Sequence, residues 1–300
     1  MKTLIQSNSK GMGYVYGVVA SAIYALNSVL GKIILGEGLE PLEIIFYQYL
    51  FSSVFVFIFL FFTDRSQLKL PRKEIGQTAI QGILGAFGTN FFFFMALKSL
   101  NAGIVSMLLF TNPIFITLFF AVTGIKKLDK ANYVSLLLAM VGTVLVLNLF
   151  SLKSGAFAAE GIVFGMLSAL TYAFYNIYAD FKLARLNHFT VLLYTSLFGL
   201  AVALMSLLVV NGGIPLLSLE LMKYVFLISV VAGILPVICF YKSVAMIGSE
   251  RTSIVATLEI PLTLVAAFFI LQEHMTINQL MGVLLVVLAA LLLHYKDSKS

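Results

Sequence analysis

The sequence lacks a cysteine pair, tryptophan and most of the charge that a soluble protein carries. Cys239 is the single cysteine, which excludes an intramolecular disulfide and a cysteine-based metal cage. Because the chain has no tryptophan, tyrosine and phenylalanine must supply any aromatic belt at a membrane surface. Charged residues make up 11% of the chain, against about 25% in soluble domains. The composition therefore excludes an ordinary soluble domain.

Catalytic residue pairs are missing from the apolar stretches. Every aspartate lies at the boundary of a stretch, and so do the histidines, His188, His274 and His294. An intramembrane aspartyl protease needs two buried aspartates, and a metalloprotease needs an H-E-x-x-H motif. A serine nucleophile needs a base within hydrogen-bonding reach. We therefore expect no enzyme activity, no cofactor and no metal site.

Apolar residues dominate what is present. They form 61% of the chain, whose mean hydropathy is +1.04, and this predicts an all-α, polytopic membrane protein. A membrane span needs about 20 mostly apolar residues. Ten stretches qualify: 12–35, 41–62, 74–97, 102–122, 133–149, 161–178, 189–210, 221–246, 249–271 and 277–294. Pro41 suits the first turn of the second span.

The distribution of basic residues predicts the orientation in the cell membrane. Ten spans put both termini on one side, and that side takes most of the loop lysines and arginines, around Lys69, Lys127 and Arg185. The other side takes Lys32, Lys98, Lys153 and Lys223. Because cytoplasmic loops collect Lys and Arg, we expect cytoplasmic termini. The net charge of +6 is then a property of the loops and does not indicate nucleic-acid binding.

The two halves of the chain resemble each other. At an offset of 148 residues, Pro113 falls on Pro261 and the segment 17–25 falls on 165–173. Apolar helices also resemble one another by chance, but several segments match at nearly one offset. We therefore predict two repeats, 1–150 and 151–300, of five spans each. Because five is odd, the second repeat enters the membrane from the opposite side, which makes the repeat inverted.

Glu259 is the acid placed deepest in a span. It lies about seven residues, or roughly 10 Å, from the cytoplasmic end of the ninth span. A charge in hydrocarbon is expensive, so an acid there predicts a functional site. Glu259 is expected to bind substrate or a proton, and desolvation there favours the protonated carboxyl. The alternative is a structural acid that bonds to a neighbouring helix.

Lys242 and the two prolines are candidates for coupling or gating. Lys242 lies near the same end of the eighth span, at a height from which it could pair with Glu259 or extend to the headgroups. Pro113 and Pro261 break their spans, and Thr111 and Asn112 could line the cavity beside such a break. A simple proline kink, patched by the threonine, is the alternative.

Aromatic and amide side chains on the first and sixth spans are candidates for substrate contact. Tyrosines suit a small amphipathic or cationic ligand, although a tyrosine in a span is often only packing. The candidates are Tyr24, Asn27, Tyr172, Tyr175 and Asn176, with Tyr47, Gln48 and Asn90 as weaker ones. Gly82, Gly85 and Gly88 form a row that predicts close helix packing rather than a nucleotide site.

The chain resembles the EamA-type branch of the drug/metabolite transporter superfamily from about Tyr14 to His294. The G-x-x-x-S-A-x-x-Y-A openings of spans one and six, the segments 93–97 and 241–245, and Glu259 followed by Glu273 carry the resemblance. The chain departs from the family where Ile260 separates Glu259 from Pro261. The resemblance implies a substrate cavity between the repeats that opens alternately to each side.

These observations lead to a function hypothesis with two alternatives. We expect a secondary transporter of small metabolites that exports amino acids or related compounds by alternating access. An uptake carrier for a small cationic metabolite is one alternative, and a lipid-translocating or scaffold protein without transport is the other. The expected partners are a small-molecule substrate, protons and the lipid bilayer, without nucleic acid, and the protein is a monomer or a homodimer.

Overall fold

A computed structural model describes residues 2–100, 105, 108–125, 129–146, 159–210, 212–214, 216–262, 265 and 277–299. Within these ranges the chain is helical, and no strand is present. The all-α prediction is therefore confirmed for the described part of the chain. Glu273 and the second half of the predicted ninth span lie outside the described residues.

The main helical segments of the described residues follow one another in chain order. They are α1 Lys2–Gly36, α2 Pro41–Thr63, α3 Arg72–Ser99, α4 Asn112–Thr123, α5 Lys130–Val146, α6 Ala159–Leu183, α7 His188–Val210, α8 Leu219–Ile247, α9 Ser249–Ala256 and α10 Ile277–Lys299. A short 3-10 turn, Arg65–Leu68, lies between α2 and α3. Most described boundaries agree with the predicted spans to within three residues, but α1 starts ten residues earlier, and α6 and α10 each end five residues later. The start of the fourth predicted span and the end of the ninth lie partly outside the described residues.

Five of these helices are long and apolar enough to cross a membrane, among the residues that are described. They are α2, α3, α6, α7 and α8. Shorter apolar helices cover Asn112–Thr123, Lys130–Leu145 and Leu280–Ala289. The chain is thus a helical membrane protein, and the count of ten spans stays a prediction.

The start of α2 illustrates how the sequence sets a helix boundary. Pro41 occupies the first turn, where its missing N–H costs nothing. The Glu43 carboxylate accepts a hydrogen bond of 2.9 Å from the backbone N–H of Glu40, which completes a capping box. The predicted role of Pro41 is confirmed.

The helices pack in pairs across the two halves of the chain. α1 packs against α8, and α3 packs against α6, while α2 lies against α7 and α5 against α10. Glycines allow the first two contacts, because a Cβ on Gly13 would lie 2.7 Å from Cγ2 of Ile247 and one on Gly161 would lie 2.6 Å from Cγ of Leu100. Gly13 and Gly161 are themselves 148 residues apart.

Two helices widen into π-helix in their interior. The π-segment of α3 is Gln81–Phe87, and that of α8 is Ile228–Ile234. Pro236 follows the second segment in the first turn of the next α-helical stretch, so the wider turn accommodates its missing N–H. The two π-segments start 147 residues apart, close to the predicted repeat offset.

The glycine row of α3 lies at helix contacts, as predicted. A Cβ on Gly82 would lie 2.6 Å from the carbonyl oxygen of Thr195 on α7. Gly85 and Gly88 face α6 instead, where the nearest atoms belong to Tyr175 and Thr171. The row therefore brings α3 close to two neighbouring helices at once.

Candidate functional site

Both predicted helix breaks are present. In the fourth span a turn at Phe110 and Thr111 precedes α4, which restarts at Asn112 with Pro113 in its first turn. In the ninth span α9 ends at Ala256, a turn follows, and residues 259–262 are helical again. Glu259 is therefore the first helical residue after the second break.

The backbone at each break closes through short-range hydrogen bonds. The N–H of Thr111 donates to the Leu108 carbonyl at 3.1 Å, and the N–H of Leu258 donates to the Val255 carbonyl at 3.0 Å. Both bonds span three residues, which is tighter than the four of an α-helix. The two breaks also meet, because Phe110 and Ile260 pack in one apolar cluster.

The polar side chains at the fourth-span break bond mainly to their own helix. The Thr111 hydroxyl donates to the Leu108 carbonyl at 2.7 Å, and the Asn112 amide nitrogen donates to the Leu109 carbonyl at 2.9 Å. Asn112 is fully buried, and its Oδ1 has no hydrogen-bond partner within the described ranges. The Thr111 hydroxyl is thus bonded within its own span, while Asn112 retains one acceptor atom, Oδ1, without a partner among the described residues.

Five aromatic side chains from three helices form what we call the tyrosine cluster: Tyr24 of α1, Tyr172 and Tyr175 of α6, and Phe240 and Tyr241 of α8. The ring centroids of Tyr172 and Tyr175 are 6.1 Å apart, and those of Tyr175 and Tyr241 are 5.7 Å apart. Three of the predicted tyrosines therefore lie together.

Glu259 borders the tyrosine cluster. It is close enough to interact electrostatically with Tyr24 and with Tyr172. Its side chain is partly buried. The ninth span thus brings its acid to the aromatic side chains of the first and sixth spans.

Of the two predicted asparagines, the structure describes the side chain of Asn176 but not that of Asn27. Asn176 is fully buried, and its amide nitrogen donates to the Tyr172 carbonyl at 2.7 Å. Its Oδ1 has no hydrogen-bond partner among the residues described. Asn27 belongs to α1, but its side chain lies outside the described part of the structure.

Lys242 contacts an aromatic ring. Its Nζ lies 4.8 Å from the ring centroid of Tyr16 on α1, a cation–π geometry. Lys242 is also near enough to His188 and Cys239 to influence them electrostatically. The predicted pairing of Lys242 with Glu259 stays a prediction.

A surface groove of about 410 Å³ lies between α3 and α6. Its lining is almost entirely apolar and includes Phe87, Phe91 and Phe174. Leu84 and Leu170, which also line it, are about half exposed. The groove therefore opens on the apolar outer surface and is a different place from the tyrosine cluster.

Sequence reasoning missed Gln81 and Tyr241. In the sequence, Tyr241 stands out only as the first residue of the segment 241–245 that carries the family resemblance, and Gln81 gives no signal beyond being an amide in mid-span. The Asn90 amide nitrogen, a weaker candidate, donates to the Tyr49 hydroxyl at 2.9 Å.

The similarity to known proteins covers nearly the whole chain. The family model described as "EamA-like transporter family" matches twice, at residues 11–148 and 159–295. A solved crystal structure with 16% sequence identity superposes with a TM-score of 0.76 over 96% of this chain and 98% of that one.

Curated relatives are named as transporters. An uncharacterized transporter of Clostridium kluyveri is 22% identical over 96% of this chain and 94% of its own. An S-adenosylmethionine uptake transporter of Rickettsia bellii is 24% identical over 100% of this chain and 98% of its own. A pseudopaline exporter of Pseudomonas aeruginosa is 24% identical over 53% of each chain.

Proposed function

Because the chain belongs to the EamA-like transporter family, we propose that this membrane transporter carries a small organic cation or zwitterion by alternating access. The observation that carries this proposal is the position of Glu259 beside Tyr24 and Tyr172. A carboxylate recognises a positive group by charge, and tyrosine rings attract it through their π-faces. Neighbouring repeats supply the rings and the acid, which suits a site that both repeats enclose.

Alternating access is supported by the packing of the helices. Exchanging spans one to five with spans six to ten turns the α1–α8 contact into the α6–α3 contact, and both are present. The α2–α7 and α5–α10 contacts are unchanged by the same exchange. An inverted repeat of five spans in each half accounts for this pattern. We propose that both termini lie in the cytoplasm, on the basis of the basic residues in the loops.

The proposed substrate is an amino acid or an amino-acid-derived compound. S-adenosylmethionine, named for relatives that match this whole chain, carries both an amino acid group and a positively charged sulfonium. Export is the proposed direction, and uptake of a cationic metabolite is the second candidate, which those relatives favour. The transport assay must therefore measure both export and uptake.

Glu259 is the proposed coupling residue. A carboxyl group in a transport site can bind either a proton or a positively charged group of the substrate. Proton and substrate would thus compete for one group in each transport cycle. Glu259→Gln keeps the size and the hydrogen-bonding capacity of the side chain but cannot exchange a proton.

The test is flux in proteoliposomes containing purified protein, with a pH gradient of either sign and a panel of amino acids, S-adenosylmethionine and small organic cations. We expect Glu259→Gln to abolish the pH-driven flux, while Glu160→Gln, at an exposed acid of α6, behaves like the unmodified protein. Unchanged pH-dependent flux in Glu259→Gln would falsify the coupling role. No flux of any compound in the unmodified protein would favour the scaffold alternative.

A further inference from the structure

Gln81 lies at the point where α3 widens into π-helix. Its side chain is completely buried, with an exposure of 0%. π-segments are frequent at functional sites, because the extra residue re-aims side chains and loosens the backbone hydrogen bonds. A buried amide in a membrane span also needs partners for its polar atoms.

The nitrogen of the Gln81 amide has such partners. Nε2 donates to the carbonyl of Tyr175 at 3.0 Å and lies 3.5 Å from the hydroxyl of Tyr241. These contacts connect α3 to α6 and α8. They also fix which end of the amide is nitrogen, because a carbonyl oxygen accepts and never donates.

The oxygen of the same amide has no partner among the residues described. Buried carbonyl oxygens are nearly always hydrogen-bonded, so one without a partner requires an explanation. Space beside it is kept by Gly85, where a Cβ would lie 3.2 Å from Oε1 and 3.0 Å from Cδ2 of Tyr175. Gly85 thus places no side-chain atom against the enclosed oxygen, where any other residue would place a Cβ within 3.2 Å.

Gln81 is connected to the proposed transport site through Tyr241. The Tyr241 ring packs against Tyr175, and Tyr241 also interacts electrostatically with Tyr24, the neighbour of Glu259. The unfilled acceptor therefore belongs to the tyrosine cluster. Glu259 offers charge to a cationic group, and Gln81 offers a neutral acceptor.

We propose that Gln81 is a specificity-determining residue of the transport site, where Oε1 accepts a hydrogen bond from an N–H group of the substrate. The inference rests on the proposed function, in which the tyrosine cluster receives a cation. It adds that the cation is a protonated amine rather than a quaternary ammonium, because a quaternary nitrogen has charge but no hydrogen to donate.

The test compares pairs of probes that differ only in N-methylation: glycine with glycine betaine, ethanolamine with choline, and lysine with its ε-trimethyl form. In the unmodified protein we expect the amine of a transported pair to have a KM at least roughly tenfold lower than that of its N-methylated partner. This ratio is what one hydrogen bond to a charged group would produce. Gln81→Met, of similar volume without an acceptor, should bring the ratio close to one by raising the KM of the amine. Gln81→Glu should keep a preference for the amine.

Two glycine variants on α3 test the same acceptor without changing Gln81. Gly85→Ala places a Cβ 3.2 Å from Oε1 and should weaken the preference, whereas Gly88→Ala meets its nearest neighbour at an ordinary 3.4 Å and should keep it. A preference that survives both Gln81→Met and Gly85→Ala overturns the proposal. So does an equal loss for both members of a pair, because that is what a merely structural glutamine would produce.

A second measurement does not depend on the identity of the substrate. In a Cys239→Ser background, Gln81→Cys should react with aminoethyl methanethiosulfonate, a small thiol reagent that carries a primary ammonium. If the unmodified protein transports no probe, the proposed function fails and the inference fails with it; where a probe is transported, this reaction tests the inference alone. A cysteine at position 81 that stays unreactive in folded protein overturns it.

Discussion

The contact between α3 and α7 provides a quantitative test of the fold. Gly82→Ala places a Cβ 2.6 Å from the carbonyl oxygen of Thr195 and 3.0 Å from Cβ of Phe198. The first neighbour is backbone, so it moves only if the helix moves. Gly88→Ala is the matched control, because the same change on the same helix meets Cγ2 of Thr171 at 3.4 Å.

The two substitutions are expected to change the stability of the protein in opposite directions. Overpacking a tight contact costs about 1–3 kcal/mol of unfolding free energy, which corresponds to a melting temperature lower by roughly 2–12 °C at this chain length. At Gly88 the new methyl group fits, and replacing glycine by alanine in a helix gains about 0.5–1 kcal/mol. Gly88→Ala should therefore melt at the same temperature as the unmodified protein or slightly higher.

The assay is thermal unfolding in one detergent, followed with a dye that fluoresces on reaction with Cys239. This cysteine is half-buried and is the single one in the chain, so its exposure reports unfolding without an added label. Equal shifts for the two variants would refute the contact between α3 and α7. A Gly82→Ala protein as stable as the unmodified one would do the same.

Two further predictions concern topology and symmetry. A cysteine at Ser66, in a protein without Cys239, should resist a membrane-impermeant thiol reagent in intact cells because the basic loop around Lys69 is cytoplasmic; rapid labelling there would reverse the orientation. In an experimental structure, superposing the two halves should bring Pro113 and Pro261 to within about one helical turn, roughly 5 Å, and a larger separation would rule out the 148-residue register.

Helix boundaries were predictable where a single residue type determines them. Pro41 fixes the start of α2, and its effect on the backbone is the same in any surroundings. The breaks before Pro113 and Pro261 were predictable for the same reason. The end of α6 was not, because the π-segment Ala179–Leu183 carries charged residues past the expected end of the span.

The π-segments show why part of the fold is out of reach of sequence reasoning. Pro236 marks the segment of α8, since the wide turn lies directly before it. The segment of α3 contains no proline, and its glycines were interpreted as packing residues, which they also are. The widening depends on contacts with two other helices, and those contacts are not local in the sequence.

Sequence reasoning selected three of the tyrosines that lie together in the structure, but it missed Tyr241 and Gln81 and could not predict the contacts. The repeat singled out Tyr24, Tyr172 and Tyr175 because it placed the first and sixth spans as equivalents. The position of Lys242 in its span predicts its depth in the membrane but not the direction of its side chain around the helix axis. Its contact with Tyr16 could therefore not be predicted. An amide such as Gln81 is informative only once its partners are known.

The two breaks share a backbone form but differ in chemistry. At the 148-residue offset Thr111 corresponds to Glu259, and Pro113 to Pro261. Thr111 bonds to the Leu108 carbonyl of its own span, whereas Glu259 interacts with tyrosines of two other helices. In the proposed inverted repeat, exchanging the repeats converts the inward-open state into the outward-open one. A neutral residue at both breaks would leave these states electrostatically alike. An acid in the second repeat alone makes the two states of the proposed cycle electrostatically unequal.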